Sequence, residues 1–151
     1  MGEVLPRAAA AAVVLWSLGL GALGCGGSAP ATETPPPPTG DITVSPGFGD
    51  VARSGTAGGP DGETRCPGFF PAEPQHRLTL TGNQLEMHVE VAGEGLALFI
   101  RQGNNVFCNE AGESPTQVSR GAWSRGEYEI RVGTVAAGGS VPYVLRVVED
   151  R

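Results

Sequence analysis

The stretch from Gln84 to Cys108 restricts the fold more than any other part of the chain. Leu85, Met87, Val89 and Val91 alternate with Glu86, His88 and Glu90, the period of two that gives a β-strand one buried and one exposed face. Gly93-Glu94-Gly95 breaks the run, and Leu96, Leu98 and Ile100 then supply a second apolar face. The pattern predicts two strands joined as a central hairpin, with Asn104-Asn105 turning the chain again before Val106-Phe107-Cys108.

The remainder of the chain from Asp41 onward continues in short extended pieces separated by turn residues. Ile42–Val44, His76–Thr81, Gln117–Ser119, Glu127–Val132 and Val141–Val148 read as further strands, with Tyr128, Ile130 and Val132 facing inward. Phe48 to Pro67, rich in Gly, Ser and Pro, reads as loop, and Asn109 to Pro115 as polar loop. About six to eight strands spread over roughly 110 residues predict an all-β fold, an antiparallel β-sandwich of jelly-roll-like kind or a small barrel.

The N-terminal part has a different character. After Arg7, the run from Ala8 to Leu23 carries no charge. It is about 16 residues long, short of the roughly 20 that span a bilayer, and residues 1–24 are read as a targeting signal rather than as part of the fold. The segment Ala22-Leu23-Gly24-Cys25 resembles the lipobox of bacterial lipoproteins, with Ala22 and Leu23 exchanged relative to the usual order. The resemblance implies cleavage before Cys25 and its modification with lipid, palmitate included. Gly26, where an Asp would retain the protein at the inner membrane, implies the outer membrane of a two-membrane bacterium. An ordinary secretory signal with an incidental cysteine and a retained signal anchor are the alternatives. Residues 25–40, with Pro35 to Pro38 and no apolar period, form a flexible, partly polyproline II tether, more consistent with a spacer than with a ligand for a proline-binding module.

Lipid on Cys25 would also resolve an odd number of cysteines, because Cys66 and Cys108 remain to pair with each other. Export places them where disulfides persist. Such a bridge closes a loop of about 43 residues, for which chain entropy predicts roughly 4 kcal/mol of stabilisation. No second cysteine stands at a C-x-x-C spacing to suggest redox or metal chemistry.

Several segments in order resemble the bacterial pre-peptidase C-terminal family, small β-sandwiches that are appended to secreted proteins or stand alone. They are Ser45-Pro46-Gly47-Phe48, Gly58-Gly59, Cys66-Pro67-Gly68-Phe69-Phe70, Pro74-Gln75-His76-Arg77-Leu78 and Leu96-Ala97-Leu98-Phe99-Ile100. Cys108-Asn109-Glu110, Gly126 to Gly133 and Tyr143-Val144-Leu145-Arg146-Val147 complete the set. The resemblance covers residues 41–151 and implies a non-catalytic binding, adhesion or display module for an exported protein or polysaccharide. Where relatives often carry Asp, this chain has Gly95 and Asn109-Glu110.

Residue chemistry points the same way. His88 lies between Glu86 and Glu90 on the outward face, but neighbours at that spacing are about 7 Å apart along a strand, too far for all three to hold one zinc ion. The row reads as a solvated strand face. His76 precedes a strand with no evident partner. Gly47-Phe48-Gly49-Asp50-Val51-Ala52 fits G-x-G-x-x-A, yet Ser54-Gly55 and Gly58-Gly59-Pro60 leave no helix to follow it, and the dinucleotide reading fails. Nucleophile-elbow, zinc-protease, phosphate-loop and EF-hand patterns do not occur, so no catalytic residue and no enzyme activity are expected. Asp50, Asp61, Glu63, Asn109 and Glu110 are loop oxygens of the kind calcium takes; ordinary polar turns are the expected reading, and no cofactor is assigned. A formal charge of −6, with every basic residue an arginine, excludes a nucleic-acid partner. The alternative function is inhibition of a hydrolase such as lysozyme or a protease, through a protruding loop at Gly47 to Asp61. Exposed Phe48, Phe69, Phe70 or Trp123 would mark a contact face, but core or strand-edge packing is expected of them.

Overall fold

The computed structural model describes residues 39–62, 65–109 and 115–150. The leader, Cys25, the tether as far as Pro38, Glu63 and Glu110 lie outside the described residues. The described chain forms eleven strands: β1 Ile42–Val44, β2 Val51–Ala57, β3 Asp61–Gly62, β4 Phe69–Phe70, β5 His76–Leu80, β6 Gln84–Ala92, β7 Leu96–Gln102, β8 Asn105–Cys108, β9 Thr116–Trp123, β10 Gly126–Thr134 and β11 Val141–Glu149.

Two sheets result. Strands β2-β11-β6-β9, in that order, make an antiparallel four-stranded sheet. In the second sheet β10 is central, with β7 along one flank and β5, then β4, along the other. Strand β8 adds to β7, β3 to β4, and β1 runs parallel to β5. The alternation that marks the strands also sorts their side chains. Met87, Val89 and Val91 of β6 and Tyr143, Leu145 and Val147 of β11 meet Leu78, Leu80, Leu96, Leu98, Ile100, Tyr128, Ile130 and Val132 from the opposite sheet. Each such side chain removed from water contributes about 1.5–3 kcal/mol, which makes the sandwich a single apolar interior between two pleated walls. One end of that interior is aromatic. The rings of Trp123 and Tyr128 pack edge to face with centroids 5.3 Å apart, and the Trp123 indole N–H donates to Met87 O at 2.7 Å.

The expected all-β sandwich is present, with corrections in detail. β6 and β7 are not a hairpin: β6 pairs with β9 and β11, whereas β7 pairs with β10 and β8. Gly93 (φ 145°) and Gly95 (φ 67°) carry the chain from one sheet to the other, and only a residue without a β-carbon takes such angles without strain. A hairpin and an inter-sheet arch impose the same alternation on both arms, so periodicity alone does not separate them. The stretch from Phe48 to Pro67 is not all loop, because Val51–Ala57 pairs along its whole length with β11. Together with the two-residue strands β3 and β4, β2 raises the expected six to eight strands to eleven. The β1–β5 pair is parallel within an otherwise antiparallel structure.

Strand β7 shows why its sequence runs Leu-Ala-Leu-Phe-Ile without a polar interruption. Ala97 and Phe99 face away from the main interior, yet both are buried, beneath Phe70 and Cys66. A strand covered on both faces loses its alternation. The cover is fastened by the Cys66–Cys108 disulfide, with Cα atoms 5.6 Å apart and a sequence separation of 42.

Between β5 and β4, part of the flank of β10 has no strand beside it, and Gln75 fills the position. Its Oε1 accepts the Val132 N–H at 2.6 Å, and its Nε2 donates to Val132 O at 3.3 Å and to Thr56 O of the other sheet at 2.9 Å. The side-chain amide thus takes the part of a backbone peptide and also links the sheets. At the two edges of the four-stranded sheet, Arg53 of β2 and Arg120 of β9 stand opposite the buried Leu145 and Met87 and therefore on the inner side. Arg53 donates to Ala52 O and Asp41 O. Arg120 lies 4.0 Å from the Phe107 ring centroid.

Candidate functional site

Chemistry-bearing side chains gather in two places, one buried and one open. The buried one is His76, at the start of β5. The alternation His76-Leu78-Leu80 puts it on the inner face, and it is only 1% exposed. Its Nε2 lies 2.7 Å from Tyr143 Oη on the opposite sheet, and its Nδ1 lies 3.3 Å from Gly40 O. Contrary to the sequence expectation, His76 is fully partnered. The same alternation could have placed it inside, but its partners come from strands that adjacent sequence does not reveal. Burial strips water from the imidazolium and holds the ring below its ordinary pKa; the Gly40 backbone opposes this and the nearby Arg53 charge adds to it. Burial likewise pushes the Tyr143 hydroxyl upward, so both groups are neutral near pH 7. Gly55 makes room for this pair, since a β-carbon there would fall 2.5 Å from Tyr143 Oη.

The open group lies on the outer face of the four-stranded sheet. His88 projects from β6, its Nδ1 is 2.8 Å from Asp150 Oδ1, and its Nε2 is 3.8 Å from Glu90 Oε2. Asp150, just past the end of β11, was missed from the sequence because it is brought there by the β6–β11 register. Glu86 departs from the expected row. Its φ of 55° makes it the one non-glycine residue with positive φ among those described, and its carbonyl accepts the Asp150 N–H at 2.6 Å. On the neighbouring strand the alternation changes phase between the inward Arg120 and the buried Trp123. An open depression of about 390 Å³ follows, lined by Glu86, Ser119, Arg120, Gly121 and Asp150. Among the described residues, no three His, Cys, Asp or Glu side chains are grouped to hold a metal ion. The depression instead offers carboxylates and a hydroxyl for polar contact.

The other sequence candidates are dispersed. Asp50 is exposed before β2, and Asp61 begins β3 opposite Phe70. Asn109 is buried, and its Oδ1 accepts the Leu98 N–H at 2.6 Å, extending the β7–β8 ladder by one rung. Phe70 and Trp123 are buried and Phe48 and Phe69 half-buried, as packing residues should be. Gly47 to Asp61 does not protrude as a free loop, because β2 occupies its middle.

No family model matches the sequence, and no curated protein matches it. Among solved structures, the chain is similar to the pre-peptidase C-terminal domain of collagenase from Bacillus anthracis, with 13% identity and a TM-score of 0.48, over 77% of this chain and 99% of that one. It is also similar to PliG from Aeromonas hydrophila, a periplasmic inhibitor of g-type lysozyme, with 18% identity and a TM-score of 0.43, over 72% and 97% of the two chains. A mutant of the corresponding inhibitor from Escherichia coli shares 16% identity with a TM-score of 0.41, over 73% and 97%.

Proposed function

We propose that this chain is an exported lipoprotein whose β-sandwich works by binding, held on a proline-rich tether from lipid at Cys25. The observation that carries the binding reading is how the polar side chains are used. His76 is tied between the sheets, His88 is held by Asp150, and Asn109 and Gln75 complete strand ladders. Such an arrangement makes rigid faces rather than an acid–base pair poised at a substrate. Export is supported by the uncharged run from Ala8 to Leu23 and by the Cys66–Cys108 bridge. The ligand is an exported protein or a polysaccharide, and the sandwich faces it from the outer membrane.

Inhibition of an exported hydrolase is the second reading. With β2 paired along its length, the depression beside His88 is a better contact point for it than Gly47 to Asp61. Affinity capture with the tagged full-length protein from envelope extracts separates the two. Sedimentation with wall or glycan material supports adhesion; a single stoichiometric hydrolase whose activity falls on binding supports inhibition. Catalytic turnover by the purified chain would refute both. Palmitate labelling that persists in Cys25→Ser would refute the anchor.

A further inference from the structure

The chain enters the sandwich through Gly40, and His76 grips it there. Gly40 O and N lie 3.3 and 3.4 Å from Nδ1, while Nε2 meets Tyr143 Oη across the interior. Next comes β1, three residues at a sheet edge, held by parallel pairing to β5, by Arg53 donating to Asp41 O, and by two bonds from Thr81 to Val44 O.

We propose that His76 is an acid-sensitive latch: a ring that has taken up one proton no longer stays seated in the interior between Gly40 and Tyr143, and its withdrawal frees Thr39–Val44 from the sheet. A neutral ring satisfies both sides, with one nitrogen donating and the other accepting. A protonated ring has two N–H donors, so Tyr143 can only accept from it, and its own hydrogen is then turned into the interior beside Gly55. The new positive charge would lie unhydrated near Arg53, the charged group facing it from β2. Tyr143 is the titratable group facing it from β11, and from β10 its opposite number is Ile130. The carboxylate of Asp41 is exposed, and Arg77 and Glu129 lie on the outer face. Of these surroundings only the Gly40 carbonyl favours a cation, and the loss of hydration outweighs it. The lowered pKa of the ring agrees with the geometry. Opening happens at β1 because a short edge strand is the cheapest part of a sheet to detach.

The sign follows from linkage. A histidine with a lowered folded-state pKa stabilises its site above its ordinary value. That stability is lost as pH falls from there toward the folded-state value, by about tenfold in the opening equilibrium per pH unit. Amide exchange in the full-length protein between about pH 7.5 and 4.5 tests this. The Thr81 amide, which donates to Val44 O at 3.0 Å, should keep its protection above the ordinary histidine pKa and lose it about tenfold per unit below, after correction for intrinsic exchange, while Leu145 in β11 keeps its protection throughout. His76→Asn should abolish the pH dependence. Constant protection at Thr81, parallel loss at Leu145, or pH dependence surviving in His76→Asn would overturn the latch. Should that variant fail to fold, the wild-type His76 ring shifts decide the matter. Their midpoint must lie below the pH at which protection at Thr81 begins to fall, and a ring that titrates at or above that pH overturns the proposal.

Discussion

Replacing Gln75 with alanine removes a side chain that stands in for a missing strand. Val132 is fully buried, and its N–H loses the Oε1 acceptor at 2.6 Å. A buried donor left without a partner costs about 1–3 kcal/mol, and loss of the Thr56 link adds about 1 kcal/mol. The expected destabilisation is therefore about 2–4 kcal/mol, a large part of the ~5–15 kcal/mol typical of a domain. Urea denaturation of the oxidised protein, followed by Trp fluorescence, should show a lowered midpoint with an unchanged slope, since the surface exposed on unfolding stays the same. Gln75→Glu is the companion test: its carboxylate can accept from Val132 N–H but sets an acceptor oxygen against the Thr56 and Val132 carbonyls, so it should not recover wild-type stability. A Gln75→Ala protein within about 0.5 kcal/mol of wild type, the range of ordinary surface substitutions, would refute the view that this amide completes the sheet.

Two further substitutions probe other joints of the structure. The paired change Cys66→Ser with Cys108→Ser should lower stability by roughly 4 kcal/mol on the chain-entropy estimate; a midpoint insensitive to reductant in the wild type would contradict it. Glu86→Gly exchanges a left-handed non-glycine residue, which costs about 1–2 kcal/mol, for one that costs roughly 0.5–1 kcal/mol in backbone entropy. A small gain of about 0.5 kcal/mol in thermal or urea stability is expected, and a clear loss would show that the Glu86 side chain itself holds the strand ends together.

The strands with strict alternation were legible because each has one wet and one dry face. Glu127 to Val132 and Val141 to Val148 are where the pattern puts them, and the Cys66–Cys108 pairing followed from cysteine arithmetic. β2 was not legible. Val-Ala-Arg-Ser-Gly-Thr-Ala has small residues and an inward arginine, because it lies at a sheet edge and packs against Tyr143 through Gly55. The arch at Gly93 to Gly95 was misread because sheet membership depends on partners far away in sequence. The same limit hid the contacts of the candidate groups. His76 meets Tyr143 at a separation of 67 residues, and His88 meets Asp150 at 62; register between distant strands brings them together, and local composition carries no record of it.

Two copies of this protein meeting along β2 or β9 find the junction obstructed by the arginines turned inward there. Joining strand to strand would shut Arg53 or Arg120 away from water along a continuous intermolecular sheet, with no carboxylate among the described core residues to neutralise it. Edge strands otherwise invite such growth, and inward charge is one way natural sheets prevent it. Where many copies are concentrated on one surface, these two side chains favour separate molecules over fibrils.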